Sequence, residues 1–232
     1  MKIGNHTIYK YTLALISANM YLIISQKKAL LIDPNVSEEA TSLLEKQGVT
    51  DITVVLTHEH FDHISGVNHY REFAKGVGGK CMVYAGAKCA EQIKDPDNNL
   101  SSYFEIMFFK KSEEERILAE KVFDRTYSCE ADEAVLDGFA LDWEDLKIVF
   151  RDTPGHSPGS ICVEIYDATD SLCALVTGDS LVNGNRVITR LPGGSRAAYR
   201  DITEPYLRSF GPDTVVLPGH GEISSIGCLE IG

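Results

Sequence analysis

The sequence has few basic residues, with 22 Lys and Arg against 34 Asp and Glu and a formal net charge of −12. Nucleic acids and anionic lipid surfaces are bound through clustered Lys and Arg side chains. The charge balance therefore disfavours both partners, and we expect neither nucleic-acid nor membrane binding. Bound divalent cations would offset part of the negative charge.

Closely spaced cysteine pairs are also lacking. The chain has six cysteines, but no two of them form a C-x-x-C pair, so neither a zinc ribbon nor a thioredoxin-like site is indicated. A chain of this length can bury a full core without disulfides, and we predict reduced, structural thiols.

Long hydrophobic runs are absent as well. The stretch "TLALISANMYLIIS" (12–25) is apolar, but Ser17 and Asn19 interrupt it, and no compact basic segment precedes it. It therefore predicts two strands joined by a turn, and not a signal peptide or a membrane span. Without a targeting segment, we expect a cytoplasmic protein.

What the sequence does contain is an alternation of strand-like and helix-like segments. β-branched runs such as "ITVVLTH" (52–58) alternate with helix-like stretches such as "GVNHYREFAK" (66–75), which predicts an α/β fold. The other predicted strands are 21–25, 29–34, 82–86, 147–156, 161–167, 173–179 and 214–220, and the other predicted helices are 86–94 and 201–210.

One region departs from this alternation. We predict that 95–129 is a helical insertion within a single domain spanning 1–232. Ser112 precedes Glu115 by three residues, which is the spacing of a helix capping box. The apolar positions expected on one face of this helix are Ile117, Leu118 and Val122.

The insertion has two interpretations. It is either a packed helical hairpin, which we favour because aromatic stripes usually belong to a core, or a lid over a substrate pocket. In the second case its aromatic side chains would line the pocket. These aromatic residues are Tyr103, Phe104, Phe108 and Phe109.

Four of the predicted strands end in potential metal ligands, and five of the seven histidines lie at these ends. The carboxyl ends of strands gather at one edge of an α/β sheet, so the four ends can converge. Each residue alone has a simpler explanation, such as a helix cap for Asp62 or a turn for Asp179, but together they indicate a metal site. The candidate ligands are His58, His60, Asp62, His63, His156, Asp179 and His220.

The types of these side chains restrict the metal. Imidazole and carboxylate without cysteine suit zinc first, with iron or manganese as alternatives. Seven ligands exceed the three or four that a single zinc ion needs, which predicts two divalent metals that share a carboxylate.

The pattern resembles the metallo-β-lactamase-fold hydrolases. Their H-x-H-x-D-H motif stands at 58–63, their later ligands fall on His156, Asp179 and His220, and the resemblance covers nearly the whole chain. It implies an αββα sandwich of two packed mixed sheets with helices on both outer faces. It also implies that one metal is held by His58, His60 and His156, the second by Asp62, His63 and His220, and that Asp179 bridges them.

Within that family, "TPGHSPGS", "VTGDSL", "LPGGS" and "VVLPGHG" are most similar to glyoxalase-II-type thioester hydrolases. This implies that a metal-bridging hydroxide attacks the ester-type carbonyl of a small-molecule substrate, most readily a thioester. Asp62 would both bind metal and orient the nucleophile, whereas Glu59 is interpreted as a solvated residue or as one that supports the ligands. Cations that could pair with a substrate carboxylate or phosphate, but are more typical of surface charges, are Arg186, Arg190, Arg196, Lys110 and Lys111.

The chain departs from the glyoxalase II pattern in two places. Only 12 residues (232 − 220) follow His220, so the helical domain that grips glutathione is not expected, and 183–195 lacks the G-R-T-D-F pattern, with Ile188 at the position of its arginine. Other activities therefore stay open. They are a mononuclear-iron persulfide or thiol dioxygenase, a lactonase, a phosphodiesterase and a non-catalytic metal-binding protein; class B β-lactamases and RNA-processing enzymes match the sequence less well.

Overall fold

The structure is a computed structural model that describes residues 1–13, 15–103, 112–183 and 186–232. Its strands form two sheets that pack face to face. None of the helices in the described ranges is long and apolar enough to cross a bilayer.

The first sheet contains seven strands in chain order. The early strands pair antiparallel, while the pairs from β4 onward are parallel, with helices in the crossovers after β4 and β5 as parallel pairing requires. The strands are β1 (Lys2–Ile3), β2 (His6–Leu13), β3 (Ala18–Ser25), β4 (Lys28–Ile32), β5 (Asp51–Leu56), β6 (Cys81–Gly86) and β7 (Glu133–Val135).

The second sheet contains six strands in the order β13-β12-β11-β10-β9-β8. The β11–β12 pair is parallel and the other pairs are antiparallel, so both sheets are mixed. The strands are β8 (Ala140–Trp143), β9 (Leu146–Asp152), β10 (Ile161–Tyr166), β11 (Leu172–Gly178), β12 (Val215–Pro218) and β13 (Ser224–Ser225).

Helices cover the outer faces of both sheets. Those of the first half are α1 (Glu38–Gln47), α2 (Phe61–Ile64), α3 (Val67–Gly76) and α4 (Ala87–Gln92). The later helical segments are Ser101–Tyr103, Glu113–Val122, Arg196–Ala198, Tyr199–Thr203, Glu204–Arg208 and Ile226–Cys228.

The two-residue period of β3 explains why its sheet is buried on both faces. Met20 and Leu22 point towards α1, α3 and α4, while Tyr21 and Ile23 point into the space between the sheets, where they meet Phe150 and other side chains of the second sheet. A third apolar cluster lies between the second sheet and helix Glu204–Arg208. The fold is therefore the predicted αββα sandwich.

The structure changes some boundaries of the predicted elements. The strand predicted at 147–156 ends at Asp152, and the one predicted at 214–220 ends at Pro218, because the candidate ligands beyond them lie in turns. Helix α1 and strands β7 and β8 were not predicted. The apolar stretch near the start forms the predicted two strands, β2 and β3.

The predicted insertion is partly described. Ser112 and Glu115 form the predicted capping box of helix Glu113–Val122. Two positions of the predicted apolar face are wrong, because Ile117 and Leu118 are about half exposed, whereas Ala119 is buried. The side chain of the third position, Val122, lies outside the described ones. Tyr103 is also exposed. Phe104, Phe108, Phe109, Lys110 and Lys111 lie outside the described residues.

Candidate metal centre

The seven predicted ligands lie together at one end of the two sheets. His58 to His63 follow β5 of the first sheet, in a loop that leads into α2. The other ligands come from the second sheet: His156 lies in the turn between β9 and β10, Asp179 directly follows β11, and His220 lies in the turn after β12. The site therefore bridges the ends of both sheets.

Three imidazoles form one group, which we call the first triad: His58, His60 and His156. One nitrogen of each lies within 4.8 Å of the others. The Nδ1 of His60 and the Nε2 of His156 face each other at 2.9 Å. All three side chains are buried.

Hydrogen bonds to neutral partners orient two of these rings. His156 donates from Nδ1 to the carbonyl oxygen of Ile188 at 2.8 Å, which leaves the lone pair on Nε2. The hydroxyl of Thr57 donates to Asp33 at 2.6 Å, so that its oxygen accepts from His58 Nδ1 at 3.1 Å. Both rings therefore present an unprotonated Nε2 to the centre.

The second group, which we call the second triad, consists of Asp62, His63 and His220. Oδ2 of Asp62 lies 3.4 Å from the Nε2 atom of each histidine, and these two Nε2 atoms are 3.3 Å apart. Asp62 and His63 are buried, whereas about a quarter of the His220 side chain is exposed.

Asp179 lies between the two triads. Its Oδ2 is 3.4 Å from Nε2 of both His156 and His220, and its Oδ1 is 3.5 Å from Nε2 of His63. A single carboxylate is therefore in contact with imidazoles of both groups.

A further carboxylate, that of Asp33, stands behind His63. Asp33 lies close enough to His58 and His63 to be a ligand itself, but its oxygens are already used. Oδ1 accepts from the backbone of Thr57 at 2.7 Å, and Oδ2 accepts from the Thr57 hydroxyl at 2.6 Å and from His63 Nδ1 at 3.0 Å. Asp33 therefore fixes the ring of His63, so that its Nε2 faces the centre.

Two buried polar atoms of the seven candidate ligands have no hydrogen-bond partner: Nε2 of His58 and Oδ1 of Asp179. An unsatisfied buried nitrogen or carboxylate oxygen is costly. The facing nitrogens of His60 and His156 would also repel if both carried lone pairs. Cations among these atoms would remove both costs, and the nitrogen and oxygen donors fit borderline divalent metals. The residues therefore fit the implied metal ions.

Burial controls the protonation of two histidines of the first triad, His58 and His60. It lowers the pKa of His60 to about 3, with a further contribution from His156. Burial and the neighbouring imidazoles of His63 and His60 likewise hold the pKa of His58 well below its ordinary value. These rings are neutral at neutral pH, which is the form that binds metal.

The second triad behaves in the opposite way. Burial alone would lower the pKa of His63, but the carboxylates of Asp62 and Asp179 raise it well above its ordinary value. Burial is likewise outweighed at His220, where Asp179 and Asp62 raise the pKa to about 10. Burial would raise the pKa of Asp62, but His63 and His220 hold it well below its usual range. Without metal, protons occupy the positions that a cation would take.

The turn that carries His220 is held by β3. Asn19 donates from its side chain to the carbonyl oxygens of Pro218 and Gly221, at 3.0 and 2.8 Å, and the buried Tyr21 hydroxyl donates to Pro218 at 2.7 Å. A β-carbon on Gly219 would lie 2.3 Å from Asp179 Oδ1, so only glycine fits between the two ligand-bearing turns.

Glu59 links the loops of the first triad. The interpretation of Glu59 as solvated is wrong, because only 1% of this residue is exposed. Its carboxylate accepts from the Ser157 hydroxyl at 2.9 Å and from the backbone of Gly159 at 3.3 Å. Burial raises its pKa. It therefore ties the loop of His58 and His60 to the turn that carries His156.

A cavity of about 380 Å³ opens above both triads. Its floor contains His60, Asp62, His156, Asp179 and His220, and its walls are mainly apolar. The apolar wall residues are Ile16, Phe61, Leu100, Val182, Ile188 and Leu191.

Helix Glu113–Val122 packs against the outer side of the cavity wall. Phe61 packs edge-to-face on Phe123, with ring centroids 4.8 Å apart, and Leu100 and Ala119 belong to the same cluster. Of the described residues of the insertion, Leu100, Ala119 and Phe123 pack in this cluster, and Leu100 also lines the cavity.

The family model of the metallo-beta-lactamase superfamily matches residues 14–220. The chain belongs to this superfamily. Together with the buried ligand cluster, this membership supports a metal-dependent hydrolase with a candidate His/Asp site for divalent metals.

Individual members of the metallo-β-lactamase superfamily are similar along most of this chain. A probable metallo-hydrolase of Bacillus subtilis, YqgX, is 27% identical over 207 residues, which cover 89% of this chain and 86% of the relative. The solved structure of the B3 metallo-β-lactamase BLEG-1 superposes with a TM-score of 0.70 at 27% identity, covering 96% and 95% of the two chains. A hydroxyacylglutathione hydrolase of Prochlorococcus marinus is 25% identical over 164 residues, which cover 70% of this chain but only 49% of that protein.

Apart from Glu59, for which a supporting role was one of two interpretations, the sequence analysis missed the residues that support the ligands. Asp33 could have been found from the sequence, since "LLIDP" is another strand that ends in a carboxylate. In the structure, its φ of 50° is unusual for a non-glycine residue. Tyr21 reads as an ordinary strand residue, and the carbonyl of Ile188 carries no sequence signal at all.

Proposed function

We propose that the protein hydrolyses an ester-type carbonyl, most readily a thioester, at a centre of two divalent metals. The observation that carries this proposal is the position of Asp179, whose carboxylate lies within 3.5 Å of imidazole nitrogens from both triads. The likeness to a hydroxyacylglutathione hydrolase supports the choice of a thioester.

The triads divide the ligands between two ions. His58, His60 and His156 would hold one ion, Asp62, His63 and His220 would hold the other, and Asp179 would contact both. When bound, such a pair of ions supplies an acidified water as nucleophile and Lewis-acid polarisation of the carbonyl.

The protein's own residues orient and shield the reaction. The second carboxylate oxygen of Asp62 makes none of the contacts to His63 and His220 and belongs to a cavity-lining residue, so we assign it to accept a hydrogen bond from the attacking water. Ile16, Leu191 and their apolar neighbours exclude other water from the acyl group. Attack of the water forms a carbon–oxygen bond and the carbon–sulfur bond breaks. The leaving sulfur takes up a proton from the water, so the products are a carboxylic acid and a thiol.

A β-lactam ring is a second candidate substrate, because the BLEG-1 structure is described as a B3 metallo-β-lactamase. Its amide carbonyl would present the same electrophile to the same centre. The cavity wall is apolar apart from Arg186, and it gives no further reason to prefer a β-lactam over a thioester.

The test is a hydrolysis panel with metal-loaded protein. Short acyl thioesters, lactones, a phosphodiester and a chromogenic β-lactam are compared by kcat/KM. The proposal expects the thioesters to be hydrolysed fastest and the activity to disappear in the Asp62→Asn variant. Preferred hydrolysis of the β-lactam or phosphodiester would overturn the choice of substrate.

A further inference from the structure

A second cavity, of about 610 Å³, lies beside the one above the triads. Four arginines line it: Arg186, Arg190, Arg196 and Arg200. This is a strong local concentration of positive charge in a chain with a net charge of −12. We call this cavity the arginine pocket.

The arginine pocket adjoins the metal-site cavity. Arg186 and Ile188 line both. The same segment orients the first triad, since the carbonyl of Ile188 accepts the hydrogen bond from His156. A molecule with its reacting carbonyl over the triads can therefore extend past this shared wall into the arginine pocket.

Most of the positive charge in the pocket has no partner. Glu204 is the one carboxylate side chain among the lining residues, and Arg208 pairs with it at 2.7 Å. Arg200 forms an exposed pair with Asp201 at 2.7 Å, which holds it only weakly. Within the described ranges, no ion pair involves Arg186, Arg190 or Arg196.

Three unpaired guanidinium groups favour a multiply charged anion. Guanidinium binds phosphate and carboxylate through paired hydrogen bonds, but a single carboxylate would neutralise only one of the three. Phosphate or diphosphate groups match the charge better. The apolar walls of the neighbouring cavity are suited to an uncharged acyl group instead.

We propose that the arginine pocket binds the phosphate groups of the substrate, which is a thioester between an acyl group and a phosphorylated thiol. This inference rests on the proposed thioester hydrolysis and specifies its substrate class. The acyl group lies in the apolar cavity and the phosphates lie among the arginines. Hydrolysis breaks only the carbon–sulfur bond, so the phosphates leave unchanged on the thiol.

The test compares three thioesters of one acyl group with metal-loaded full-length protein. The coenzyme A thioester carries phosphates, the glutathione thioester carries carboxylates, and the N-acetylcysteamine thioester carries no charge. We expect the coenzyme A thioester to have the highest kcat/KM. In the Arg190→Ala/Arg196→Ala variant, the ratio of its kcat/KM to that of the uncharged thioester should fall by about 10- to 100-fold, mainly through KM.

The matched control removes two exposed cations elsewhere. Lys75→Ala/Lys88→Ala changes the net charge equally, on helices α3 and α4, and should leave the ratio unchanged. An equal fall in the control would mean that general charge, and not the pocket, selects the substrate, which would overturn the proposal.

Direct binding separates this inference from the proposed function. Adenosine 3′,5′-bisphosphate, titrated calorimetrically into the full chain, should bind the wild type and the lysine control but not the arginine double variant. If no thioester is hydrolysed, the proposed function fails. The titration still shows whether the arginine pocket binds phosphate groups. Equal rates for coenzyme A and uncharged thioesters, or a preference for glutathione that the arginine variant loses, would overturn phosphate recognition.

Discussion

The first triad and the second triad share Asp179 but differ in charge. The first consists of three imidazoles, and its oriented rings donate to neutral partners, the Thr57 hydroxyl and the Ile188 carbonyl. The second includes the carboxylate of Asp62, and its His63 is backed by Asp33. The first is buried, whereas His220 of the second is partly exposed.

This difference shows how each triad attracts a cation. In the first triad, burial keeps His58 and His60 unprotonated, so a metal binds there through nitrogen lone pairs. The second triad concentrates carboxylates around histidines whose pKa values are raised, so a metal must displace protons but gains charge attraction. The two halves should therefore respond differently to substitutions and to pH.

The largest effect on metal binding and activity is expected from a substitution of Asp179, which contacts both triads. Asp179→Asn removes the charge that contacts both triads, so both metals should bind weakly and kcat/KM should fall by about 1,000-fold, equal to about 4 kcal/mol. Elemental analysis and thioester kinetics measure the two results. The exposed Asp213→Asn is the matched control. Loss of only one metal would show that Asp179 serves one triad.

Asp33→Asn should separate the triads. The amide keeps the size of the carboxylate but removes the negative charge behind His63, so metal affinity at the second triad should fall by about 10- to 100-fold. The first triad should lose much less affinity, because Asp33 reaches it only through the Thr57 hydroxyl, which can also donate to an amide oxygen. Competition with a chelator, at one pH, measures both affinities. Equal weakening of the two sites would contradict the division.

Glu59→Ala should affect the first triad and the stability of its loops. It leaves the Ser157 hydroxyl and the Gly159 amide without their buried acceptor, which should lower the free energy of unfolding by about 1–3 kcal/mol. Glu59→Gln keeps an acceptor oxygen and should lose less. Urea unfolding of the metal-loaded protein measures the loss, with the exposed Glu72→Ala as control. An equal loss in the Gln and Ala variants would argue against the hydrogen bonds as the cause.

A change of pH should have the smallest effect on stability. Its direction differs between the two triads. The pKa of His220 is raised to about 10 in the metal-free fold, so its stabilisation is complete below pH 6.5 and is lost as the pH rises towards 10. The pKa of His60 is lowered to about 3, so its stabilisation is present above pH 6.5 and is lost as the pH falls towards 3.

Thermal unfolding of the metal-free protein from pH 3 to pH 10 measures both losses, which form the acid limb and the alkaline limb of the plot of stability against pH. His220→Gln should flatten the alkaline limb, and His60→Gln should flatten the acid limb. Metal loading should suppress the alkaline limb, because a bound cation keeps His220 unprotonated, and should steepen the acid limb, because protons then also compete with the metal. A variant that flattened the opposite limb would contradict the assigned charges.

The ligands were predictable because each follows a strong local strand pattern, as His58 follows β5 and Asp179 follows β11. Their convergence follows from the rule that sites gather at strand ends. The structure also confirms the αββα sandwich that the resemblance implies. Assignment of 1–232 to one domain stays a prediction.

The supporting contacts were not predictable because they join distant segments. Glu59 meets Ser157 across 98 residues of sequence, so nothing local distinguishes it from a solvated side chain. The buried face of helix Glu113–Val122 was assigned wrongly because Ile117 and Leu118 are its largest apolar residues, yet the small Ala119 makes the close contact. The grouping of Arg190 and Arg196 around one cavity likewise depends on the packing of their segments.

The most direct test of the two-triad account is the number of divalent metals bound per chain. Elemental analysis of the full-length protein, purified without added metal and again after reconstitution with zinc, iron or manganese, provides it. The account predicts two metals per reconstituted chain, falling to one in Asp33→Asn at limiting metal. A single iron that no excess metal supplements would contradict a binuclear centre and favour the dioxygenase, and absence of metal would contradict both.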